Sequence, residues 1–150
     1  MITDFLDEHA ENTPDKMAFV DSHRSVTFAE LRAEVDAAAR GLLARGVGPG
    51  DVVSFQIPNW IEWIVVHYAA TRIGAISNPL IPIYREREVG FMVGLARSKV
   101  IVVPQDFRGF DYPAMLEELK GEWDFDPDVV VIGADPWVQL TTQGDANADL

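Results

Sequence analysis

Apolar positions along the chain alternate between a helical rhythm and short continuous runs. Phe5, Leu6 and His9 share one stripe of an opening helix over residues 3–12, with Thr3 as its cap and Pro14 as its stop. Residues 16–20 and 25–28 flank the polar turn Asp21-Ser22-His23-Arg24, the signature of a hairpin. Thr27 and Glu30 stand at capping-box spacing, each side chain placed to satisfy a free amide of a first helical turn. Behind them Phe28, Leu31, Val35, Ala38, Leu42 and Leu43 predict a helix over 28–45, closed by Gly46. Four helix–strand units follow from here. Residues 52–57 form an apolar strand, and Asn59 is placed to cap a helix carrying Trp60, Ile64, His67, Tyr68 and Thr71 down to Gly74. Residues 75–82 read as a strand with an exit loop, because Pro79 and Pro82 cannot donate ladder bonds. Helix 86–97, strand 100–104, a weaker helix over 113–120 and strand 129–133 complete the series. Apolar runs separated by amphipathic helices predict an α/β fold, with a mostly parallel sheet and helices on both faces. Residues 1–140 are expected to form one folded unit, and 141–150 a polar tail that frays.

Composition narrows the function. Twelve basic against twenty-four acidic residues leave a formal charge of −12, which argues against nucleic acid and anionic lipid surfaces as partners. The absence of cysteine excludes disulfides, thiolate metal sites and a cysteine nucleophile. The start, Met1-Ile2-Thr3-Asp4-Phe5-Leu6-Asp7-Glu8, has neither the cationic nor the apolar segment of a secretory signal. No uncharged run reaches the roughly 18–20 residues that would cross a bilayer, and a cytoplasmic location is expected.

Few residues offer chemistry. Asp21-Ser22-His23 contains the three triad types, but neighbours on one turn cannot converge on a substrate atom, so a solvated turn is expected. His67 lies among Trp63, Ile64 and Tyr68 and reads as a structural histidine. The glycines of Gly46-Val47-Gly48-Pro49-Gly50 follow a helix and open a strand, the reverse of a phosphate-binding loop. The acidic stretch from Glu117 to Asp128 lacks calcium-loop spacing and reads as a solvated face. Arg85 or Arg87 could meet an anion at the start of a helix. Arg108 is the best single candidate for a phosphate contact: it falls just past the carboxyl end of the third strand of the parallel series, where ligands of open α/β sheets gather.

Four segments in order carry a resemblance: Val26-Thr27-Phe28-Ala29-Glu30-Leu31, Gly46-Val47-Gly48-Pro49-Gly50-Asp51-Val52-Val53, Pro58-Asn59-Trp60-Ile61-Glu62-Trp63, and Arg72-Ile73-Gly74-Ala75-Ile76-Ser77-Asn78-Pro79-Leu80-Ile81-Pro82. Over about residues 3–133 the chain resembles the amino-terminal part of the large domain of AMP-forming acyl-CoA synthetases, the adenylate-forming ligases. Tyr84-Arg85-Glu86-Arg87-Glu88 and Phe107-Arg108-Gly109-Phe110-Asp111-Tyr112 look most like the cyclohexanecarboxylate and short- to medium-chain ligases. The resemblance implies activation of a carboxylic acid with ATP and Mg to an acyl-adenylate, then transfer to CoA. It also implies, as partners, the rest of the ligase large domain and a carboxy-terminal domain. The Ser/Thr/Gly-rich phosphate loop, the adenylate motif and the catalytic lysine of such enzymes are not in these 150 residues. No catalytic residue is therefore carried over, no cofactor is expected to bind tightly, and the chain alone is expected to be inactive. By position, the resemblance places Ile81, Pro82 and Ile83, with Arg108, near the nucleotide end of CoA. A second reading is a non-catalytic α/β module, possible as a homo-oligomer, that pairs with a separate catalytic chain.

Overall fold

The computed structural model describes residues 2–150, so Met1 of the opening segment lies outside the described residues. Helix α1 (Ile2–Asn12) leads into hairpin strands β1 (Met17–Val20) and β2 (Ser25–Thr27). The four helix–strand units are α2 (Phe28–Ala44) with β3 (Val52–Phe55), α3 (Ile61–Arg72) with β4 (Ile76–Pro79), α4 (Glu86–Ala96) with β5 (Val100–Pro104), and α5 (Tyr112–Lys120) with β8 (Asp128–Ile132). A small hairpin, β6 (Asp106–Phe107) and β7 (Phe110–Asp111), precedes the last unit, and α6 (Asp135–Thr142) follows it.

The sheet is parallel throughout, in the order β4-β3-β5-β8. From β3 the chain first steps outward to β4, then returns to β5 on the other side and continues to β8. The direction of winding therefore reverses between β3 and β5. Strand β5 is buried at all five positions and shows why both faces are covered. Val100 and Val102 pack with Val53, Phe55 and the α1–α3 helices, whereas Ile101 and Val103 pack with Leu80, Val89, Met115 and Leu116 beneath α4 and α5. Alternate side chains of one strand thus feed two cores, as the pleat requires. Where β3 is polar it is satisfied internally: the Ser54 and Ser98 hydroxyls lie 2.6 Å apart, and Asn78 Nδ2 donates to Ser54 Oγ at 2.8 Å.

The capping box at α2 is present, with Glu30 N donating to Thr27 Oγ1 and Thr27 N to Glu30 Oε2. The cap of α3 differs from expectation. Asn59 is exposed and Trp60, the N-cap, makes no side-chain cap bond. The Ile61 amide instead donates to Asp21 Oδ2 at 2.8 Å, so the hairpin turn caps a helix forty residues away. Three elements lie outside the predicted series. Strands β6 and β7 are too short to show a rhythm. Helix α6 has one buried side chain, Leu140, and sits on α2 only because Gly41 has no side chain: a Cβ there would lie 1.7 Å from the Leu140 carbonyl oxygen. The stretch read as a tail begins within the last turn of this helix, where Thr141 Oγ1 donates to the Trp137 carbonyl. No described helix is long and apolar enough to cross a membrane.

Candidate functional site: a cleft at the carboxyl edge of the sheet

A reversal of winding leaves a crevice beyond the strands' carboxyl ends, because the two flanking connections leave on opposite faces. Here it is a cleft of about 290 Å³ lined by Pro58 and Asn59 after β3, Pro82, Ile83 and Arg85 after β4, Phe107 and Arg108 of the small hairpin, and Tyr112 at the start of α5. Pro82, Ile83 and Arg108 thus line one cleft. Ile81 is exposed and is not among the residues that line the cleft.

Backbone carbonyls fix the wall. Gln56, buried at the end of β3, donates through Nε2 to the carbonyls of Ile81 and Tyr84, both at 2.9 Å. Tyr112 donates its hydroxyl to the Pro82 carbonyl at 2.8 Å. Burial pushes the Tyr112 phenol up, so it stays protonated as that donor. Arg85 Nη1 donates to the carbonyls of Pro82 and Tyr84, and its guanidinium lies 3.9 Å from the centre of the Phe110 ring. Arg85 is thus committed to holding the loop, while Arg87 is exposed and outside the cleft.

Arg108 is different. It has φ +55° and Gly109 has φ +77°, the pairing found in the tightest two-residue hairpin turns. Asparagine or glycine is favoured at the first of these positions, and a left-handed arginine costs on the order of 1–2 kcal/mol. The side chain is exposed, lies over Phe107 with the guanidinium carbon 5.2 Å from the ring centre, and makes no hydrogen bond or ion pair among the described residues. A strained, unpaired cation at the mouth of a cleft is suited to receive an anion, since guanidinium matches phosphate and carboxylate oxygens in pairs. Sequence position alone pointed to Arg108. Asn59, Phe107 and Tyr112 carry no comparable signal, because the fold brings together the loop after β3, the small hairpin and the start of α5.

The remaining polar groups are structural. The Asp21 side chain is only 4 % exposed. Burial alone would raise its carboxyl, but the amides of His23, Ile61 and Arg24 donate to it and hold it below the usual carboxylate range. Ser22 Oγ lies 3.2 Å from His23 Nδ1, but Asp21 Oδ1 faces that same nitrogen at 3.9 Å and its oxygens are spent on backbone, so the imidazole cannot relay a proton between them and the three do not form a nucleophilic site. His67 Nδ1 lies 2.7 Å from Ser77 Oγ, and burial pushes its imidazole down. In the acidic stretch, Asp124 pairs with Arg97, Asp126 with Lys120 and Asp128 with Arg45, the expected solvated face.

The α/β fold is one that solved ligases share. The sequence model of the AMP-binding enzyme family matches residues 6–149, and the chain belongs to that family. It is 35% identical over 108 residues to the medium-chain fatty-acid–CoA ligase of Escherichia coli K12, a match covering 71% of this chain and 19% of the relative. It is 34% identical over 148 residues to the salicyl-AMP ligase/salicyl-S-ArCP synthetase of Mycobacterium tuberculosis H37Rv, covering 92% and 26%. The apo structure of Mycobacterium smegmatis MbtA superposes with a TM-score of 0.83 at 26% identity, over 100% of this chain and 29% of that one. The chain spans about a fifth to a quarter of the length of the curated relatives it matches.

Proposed function

We propose that this chain is the opening portion of an AMP-forming acyl-CoA ligase, and that its carboxyl-edge cleft receives the phosphorylated nucleotide end of CoA. In the whole enzyme a carboxylic acid, ATP and Mg would form the acyl-adenylate on the remaining large domain and the carboxy-terminal domain, and CoA would take the acyl group. This portion contributes scaffold and cleft and performs no chemistry of its own. The observation that carries the reading is Arg108: a free guanidinium held in a strained turn, at the site where the sheet's winding reverses. Strain of this kind persists where a side chain is needed in one place.

The test separates strain from function. Arg108→Asn relieves the left-handed conformation, so the folded state should gain about 0.5 kcal/mol in urea titration. The same substitution should remove at least tenfold of the affinity for CoA, read as amide shifts at Ile83, Arg108 and Tyr112 in a nuclear magnetic resonance titration. CoA shifts that persist unchanged in the variant would rule out the assigned role.

A further inference from the structure

A second concavity adjoins the cleft. It has a volume of about 380 Å³, and Phe19, Val20, Trp60, Trp63 and Ile64 form its apolar walls. Asn59 borders both concavities, and the Trp60 ring stands edge-on to Phe107 at 6.0 Å. We propose that strand β1 and this pocket together dock a β-strand of the ligase polypeptide beyond the present 150 residues, with an apolar side chain of that strand seated between Trp60 and Trp63. The proposal rests on the reading of the chain as part of a longer ligase.

Three features of β1 favour a strand as the occupant. It pairs with β2 alone, leaving its other edge open. Its side chains are apolar yet outward: Met17, Phe19 and Val20 are 51%, 38% and 70% exposed. Two-stranded ribbons are marginal by themselves, and open apolar edges are normally covered. An added strand would supply main-chain bonds along the edge, while the pocket selects one side chain, the division of labour of strand addition.

The pocket floor does not oppose an apolar guest. Asp21 is the charged residue there, and both its oxygens already accept backbone amides, from His23 and Arg24 on one and Ile61 on the other. Two tryptophans at the walls provide the kind of aromatic anchor that dominates docking energy. Polypeptide is available to fill the site, since the matched stretch is only 19% of the Escherichia coli relative. Phe91 and Leu95, also exposed, lie on α4 and offer no free backbone edge.

The test uses the 150-residue protein with overlapping twelve-residue peptides, tiled across the part of the Escherichia coli medium-chain ligase that follows its matched stretch. The proposal predicts that peptides from one segment slow hydrogen exchange at the open-edge amides of β1 at least tenfold and shift the indole signals of Trp60 and Trp63. Val20→Asp should weaken that peptide at least tenfold while leaving the melting temperature unchanged. Protection of β1 by no peptide would overturn the docking site, as would protection that grows with protein concentration alone, which would mark a second copy. CoA shifts at Arg108, read in the same samples, report on the cleft separately, so failure of one reading is distinct from failure of the other.

Discussion

Strands β1 and β5 are both short apolar runs, Met17–Val20 and Val100–Pro104, yet they meet opposite fates: three of the four positions of β1 are exposed, whereas all five of β5 are buried. The difference does not lie in the side chains. Strand β5 sits between β3 and β8, with helices above and below it, so both pleat faces and both edges are covered. Strand β1 lies in a two-stranded ribbon with one edge open. An apolar run tells which residues seek burial; the connections decide whether this portion of the chain supplies it. Buried β5 is a central part of both cores, whereas β1 keeps an open edge and exposed apolar side chains.

That contrast is sharpest in a matched pair of truncations. Ile101→Ala removes a fully buried side chain from the second core and should cost about 2–5 kcal/mol of unfolding free energy. Val20→Ala should stay within about 0.5 kcal/mol of the parent in the same denaturant titration. Comparable losses at both sites would mean that β1 is already covered and would dissolve the distinction.

A smaller effect is expected at Gly41. Its added methyl group would meet the Leu140 carbonyl oxygen at 1.7 Å, and backbone cannot rotate away as a side chain could. Gly41→Ala should therefore cost about 1–3 kcal/mol and displace α6, seen as faster hydrogen exchange over Asp135–Thr142 with β5 unaffected.

The smallest effect concerns pH. Burial lowers the His67 imidazole below its ordinary value of 6.5. The unfolded chain then binds the proton more readily than the folded one. The stability linked to His67 is fully present above 6.5 and is lost as pH falls through the lowered folded value. His67→Gln should flatten the slope of stability against pH in that window. An unchanged slope would assign the acid sensitivity to other groups.

Much of the fold was legible because its signals are local. The capping box at Thr27 and Glu30 starts α2 as its spacing predicts, and the runs at 52–57 and 100–104 supply central strands. Arg108 could be singled out because distance past a strand end is itself a sequence quantity. What escaped depends on contacts between distant residues. The Asp21 carboxylate reaches the Ile61 amide only after the hairpin folds over α3, and Asn59, the local candidate, is left exposed. Helix α6 depends on a missing side chain at Gly41, which a rhythm of apolar positions cannot reveal. The loop behind the cleft is anchored through the carbonyls of Ile81, Pro82 and Tyr84, atoms common to every residue type, so only the donors Gln56, Arg85 and Tyr112 bear on it in the sequence, and they lie far apart.

On the function proposed above, these residues supply a scaffold and a cleft for CoA without the adenylating parts of a ligase. Release of pyrophosphate from Mg-ATP by the purified 150-residue protein, supplied with short-, medium-chain and aromatic carboxylates, tests this most directly. The account predicts release no faster than in protein-free controls for every acid. Carboxylate-dependent release above that background would contradict it.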